Sequence, residues 1–137
     1  MKNIFRFILV TSAILMIIFW VYPYLNIVEY SEKESTLLTY AGFESLIPHS
    51  NILYWSILCV WLIICVALYF FIPIARTVFL AMVVLEVVTS LFFGYLVLTP
   101  VEATLLHLLT LSDGALLIIA YFTSVSSEFN NISNKVN

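Results

Sequence analysis

The chain has 137 residues, 64% of them hydrophobic and 9% charged, with a formal net charge of −3 and a mean hydropathy of +1.12. Soluble domains run at about 45–50% apolar and about 25% charged, so the composition excludes an ordinary water-soluble domain. Five Lys and Arg against eight Asp and Glu, with no basic cluster, also exclude nucleic acid as a partner.

What remains is an all-α integral membrane protein with the lipid bilayer as its first partner. At about 20–25 residues per crossing, the length holds roughly four helices. The expected architecture is a single-domain, four-transmembrane-helix up-down bundle.

The first span is expected over 5–27. Lys2 and Arg6 precede a long apolar run that ends in no small-x-small cleavage site, which reads as a retained signal anchor. Pro23 kinks or frays its outer end. Residues 28–50 form the first outer loop. In it Ser31 and Glu34 make a capping box before Leu37, Leu38, Tyr40 and Ala41, and Gly42 is a natural stop. That pattern predicts a short interfacial helix over about 32–41. Glu29, Glu32, Glu34 and Glu44 against Lys33 make the loop acidic, either as a solvated face or as a docking surface. His49 is a solvated loop residue.

The second span, 51–71, carries Tyr54 and Trp55 at one end and Tyr69, Phe70 and Phe71 at the other, the aromatic belts of two interfaces. Cys59 and Cys65 on this helix are too far apart around it to bridge, and read as reduced, buried apolar side chains. Neither a Cys-x-x-Cys nor a Cys/His metal spacing occurs, and nothing calls for a metal or cofactor.

The third span is expected over 73–98. Glu86, Ser90 and Gly94 recur every four residues and share a face. Ser90-x-x-x-Gly94 is a small-xxx-small pattern that admits a neighbouring helix. The fourth span, 100–124, opens with Thr99 as N-cap, Pro100 at the first helical position and Glu102 completing a capping box. It contains Asp113 and Gly114, the latter, like Gly94, a helix-packing position. Residues 125–137 are expected to be a frayed cytoplasmic tail. Its Asn131-Ile132-Ser133 sequon then faces the cytosol and goes unused.

Lys2, Arg6, Arg76 and Lys135 fall on one side of this topology and Lys33 on the other, which places both termini in the cytoplasm. Glu86 and Asp113 lie 13 residues beyond Pro73 and Pro100 respectively, so both fall near mid-depth. A carboxylate there costs about 2.5–3.5 kcal/mol on insertion scales. Such residues need partners, protons or water.

The expected arrangement is one polar seam between the third and fourth spans, formed by Glu86, Ser90, His107, Thr110 and Asp113. There the acids share a proton, or each stays protonated and donates a hydrogen bond. The seam reads as structural glue, as a site for a ligand or partner helix, or as a proton or cation pathway. No G-x-S-x-G, H-E-x-x-H or phosphate loop is present. No residue is assigned a catalytic role, and the chain is not expected to be an enzyme.

The stretch 99–122, with its Pro-x-Glu start and its Asp113-Gly114-Ala115 to Ala120-Tyr121 run, resembles the last helix of small four-helix bacterial inner-membrane proteins of uncharacterised function. The resemblance implies a multi-pass protein of the bacterial inner membrane and carries no functional residues with it. The expected function is non-enzymatic binding of a membrane partner or ligand through the seam or the acidic loop. An accessory subunit and a toxin-immunity protein are two forms of this, with a membrane-protein partner or a homo-oligomer as the assembly. The alternative is an oligomeric transporter or channel component that couples protons or cations through Glu86 and Asp113.

Overall fold

A computed structural model of the protein describes residues 1–25, 36, 46, 51–92, 94 and 96–129. All regular secondary structure among the described residues is helical: α1 (Lys2–Val21), α2 (Asn51–Tyr69), α3 (Pro73–Ser90) and α4 (Pro100–Phe122). A turn of 3-10 helix, Tyr22–Tyr24, closes α1 at Pro23. The expected interfacial helix over 32–41, apart from residue 36, lies outside the described residues, as do His49 and the 131–133 sequon.

Three helices are long and apolar enough to cross a membrane, Lys2–Tyr24, Pro73–Ser90 and Pro100–Phe122; α2 contributes a shorter apolar stretch, Trp55–Tyr69. Their outer faces are apolar. Phe7, Ile63, Val87, Leu111 and Phe122 are each at least 60% exposed, the opposite of a water-soluble surface.

The chain runs up and down. Arg6 of α1 stacks on Tyr69 at the end of α2, and Arg76 of α3 bonds Ser126 beyond α4, so these four ends meet. At the opposite end the Tyr24 and Trp55 rings lie 6.0 Å apart.

Each helix turns one stripe inward: Phe5, Leu9 and Ser12 on α1, Leu58, Trp61, Cys65 and Leu68 on α2, Ala75 and Phe79 on α3, Leu109, Asp113, Leu116 and Ala120 on α4. The three- and four-residue steps follow from 3.6 residues per turn. α1 packs most closely against α4 and then against α2; α3 lies on α2 and, more loosely, on α4.

The core is filled at the basic end. Phe5, Phe71 and Phe129 form an aromatic cluster with centroids 5.3–6.1 Å apart. Residues 124–129 close over it, with Val125 and Phe129 fully buried. The frayed tail expected from 125 onward is therefore corrected as far as Phe129. Its polar composition hides two apolar side chains, spaced four apart, that a single helical turn delivers to the core. Lys2 Nζ pairs with Glu128 at 2.7 Å across the same closure. The guanidinium of Arg76 donates to Ser126 Oγ at 2.8 Å and lies over the rings of Tyr121 and Phe129. Both Arg6 and Arg76 leave Nε buried without a hydrogen-bond partner among the described residues; each guanidinium faces aromatic π-systems instead.

Two helix ends differ from expectation. α2 stops at Tyr69 in a Schellman motif: Phe71 N–H bonds Leu68 O and Ile72 N–H bonds Ala67 O, with Phe71 itself in the left-handed region at φ 55°. α3 stops at Ser90, not at 98. Its last turn tightens as Leu91 and Phe92 N–H groups bond carbonyls three residues back, and Gly94 takes φ 74°, which no right-handed helix can continue through. Gly94 is thus a turn residue, and Ser90-x-x-x-Gly94 does not lie along one helix face. The start of α4 is as expected. Thr99 Oγ1 accepts from Glu102 N–H, and Glu102 Oε2 accepts from Thr99 N–H at 2.8 Å.

Candidate functional site

Asp113 faces inward on α4, 6% exposed, and its nearest hydrogen-bond donor is on α1: Ser12 Oγ donates to Asp113 Oδ1 at 3.2 Å. Both residues are buried, and Ser12 is the one side chain that hydrogen-bonds Asp113 among the described residues. Ser12 carried a signal that was there to be read, since the Thr11-Ser12-Ala13 trio interrupts an otherwise apolar helix with small, partly polar residues.

Glu86 is exposed, and its carboxyl makes no hydrogen bond among the described residues. The hydroxyls expected to serve it turn back onto their own helices. Thr89 donates to Glu86 O, Ser90 to Val87 O, and Thr110 to Leu106 O. Of the five residues expected in the seam between the third and fourth helices, Glu86, Thr110 and Asp113 do line one space, but the hydroxyls do not bond the acids there. Helical i−3 and i−4 carbonyls are always within reach of Ser and Thr, whereas a carboxyl on the loosely apposed neighbour is not.

His107 is exposed on a different face of α4. There it lines a shallow groove of about 520 Å³ with Thr110, Leu111, Gly114, Ala115 and Ile118. A Cβ at Gly114 would meet nothing within 4 Å, so this glycine is not a close-packing position. Cys59 is exposed and Cys65 buried, both free; the expectation that both are buried holds for Cys65 alone.

What does unite the two acids is a cavity of about 460 Å³ in the half of the bundle away from the aromatic cluster. All four helices wall it: Met16, Phe19 and Trp20 from α1, Leu53, Ile57, Leu58 and Trp61 from α2, Met82, Leu85, Glu86 and Thr89 from α3, and Leu106, Leu109, Thr110 and Asp113 from α4. Asp113 is buried in its wall; Glu86, exposed yet lining, sits at its rim.

Trp61 packs on Phe79, centroids 5.2 Å apart, and its indole N–H is buried without an acceptor among the described residues. Trp20 Nε1 donates weakly to Met16 Sδ. Sequence reasoning missed these tryptophans because Trp20, near the end of α1, reads first as an interfacial anchor and Trp61, in the middle of α2, as one more apolar residue. No group of three or more His, Cys, Asp or Glu side chains suited to a metal occurs among the described residues.

The arrangement is thus a partly open apolar cavity with two carboxyl groups and, among the described residues, one indole N–H without an acceptor. Its volume falls within the range of small-molecule pockets, about 300–1,000 Å³. No protein-family model, curated protein or solved structure matches the chain.

Proposed function

We propose that the chain crosses the bacterial inner membrane four times, with both termini cytoplasmic, and acts without catalysis by holding a small amphipathic ligand between its helices. The observation that carries the reading is the four-walled cavity bearing both Glu86 and Asp113. A bundle selected only for stability would close this space, because unfilled volume forfeits packing. The apolar outer surface and the clustering of Lys2, Arg6 and Arg76 at one end support the topology.

The test is thermal unfolding of the purified protein in micelles with an apolar probe, toluene. Ligand that binds the folded state alone raises the melting temperature. The wild-type value should rise, and that of Met82→Trp, which fills the space, should not. A wild-type protein indifferent to probes of this kind would leave the cavity without a role.

Proton or cation coupling is the second reading, favoured by two carboxyl groups lining one cavity. It requires pH-dependent flux in proteoliposomes that Glu86→Gln abolishes.

A further inference from the structure

The ionisable groups of the cavity are both acidic. Glu86 and Asp113 line it, and no Lys, Arg or His does among the described residues. Carboxyl groups kept as structural glue would be saturated with donors. Here the Glu86 carboxyl has none among the described residues, Asp113 has Ser12 alone, and the hydroxyls of Thr89, Ser90 and Thr110 are spent on backbone carbonyls.

The remaining wall is aromatic and thioether: Trp61, Trp20, Phe19, Met16 and Met82. Indole faces attract cations, and desolvation strengthens the attraction. An anionic ligand would meet two groups of like charge. A hard inorganic cation prefers a shell of six or more oxygens from protein and water, whereas most of this wall is apolar or aromatic.

Resting on the ligand-holding reading above, we infer that the cavity takes a lipophilic organic cation, an amine or quaternary ammonium. Its charged head lies between Glu86 and Asp113 and its hydrocarbon body against Trp61, Trp20 and Phe19. A quaternary ammonium is weakly hydrated and needs no oxygen shell, and a protonated amine can donate its N–H groups to the two carboxyl groups; both match a site with aromatic walls.

The test compares two probes of one shape, benzyltrimethylammonium and its neutral carbon isostere neopentylbenzene. Both are titrated calorimetrically into the full-length protein in nanodiscs, with empty nanodiscs as the partition blank. The cation should bind about tenfold tighter or more, and Glu86→Gln should bring it close to the neutral probe. Glu86 is exposed and unbonded, so that variant keeps the fold; Asp113→Asn, which retains an acceptor for Ser12, is the second. Equal affinity for the two probes would leave the ligand cavity standing and overturn the cation. Binding of neither probe would overturn both readings. A cation preference that survives the double variant would overturn the assignment to these carboxyl groups.

Discussion

Ser12 and Asp113, 101 residues apart in the chain, meet at 3.2 Å where the packed half of the bundle gives way to the hollow half. The bond ties the first helix to the last and holds a buried acid in a fixed pose. Hydrogen bonds between helices in apolar surroundings contribute about 0.6–2 kcal/mol.

Ser12→Ala should therefore destabilise the bundle by about 1 kcal/mol. Asp113→Asn should cost less, because an amide oxygen still accepts. In a double-mutant cycle with Asp113→Ala, the coupling energy should come to roughly 1 kcal/mol, read from unfolding in mixed micelles. Strict additivity would mean that the contact contributes nothing.

Phe71 stands in the left-handed region at φ 55° while its ring is buried between Phe5 and Phe129. That backbone costs a non-glycine residue about 1–2 kcal/mol. Burial of the ring offsets it. Phe71→Ala should lose about 3 kcal/mol or more, and Phe71→Gly should lose about 1 kcal/mol less than that, since glycine removes the strain. Glycine ranking below alanine in a melting series would refute the Schellman assignment.

Phe129 is the anchor of the segment that follows α4. Phe129→Ala should cost about 3 kcal/mol and open residues 124–129 to protease. Glu128→Gln, which breaks the part-exposed pair with Lys2, should cost no more than about 1 kcal/mol and vanish at high salt. A silent Phe129→Ala would restore the frayed tail.

Much of the frame was legible residue by residue. Thr99-Pro100-x-Glu102 marks the start of α4 because a capping box is satisfied within four residues. Pro73 marks the start of α3 for the same local reason. Apolar runs of 18 to 23 residues identify helices able to cross a membrane without reference to any neighbour. The end of α3 was misjudged because hydrophobicity continues through Leu96, Val97 and Leu98 after the backbone has already turned at Gly94.

Pairing across the bundle was decided only by the tertiary structure. Period and spacing say which residues share a helix face, and placed Glu86 and Asp113 at similar depth; they do not say which helix each face meets. That choice depends on how bulky side chains such as Phe5, Phe71, Phe79 and Phe129 fill one end. Their packing sets α1 against α4, brings Ser12 to Asp113, and leaves Glu86 at the rim of an unfilled space. Helix formation is local and reads from short windows, whereas helix apposition is a many-body packing problem whose answer no single segment contains.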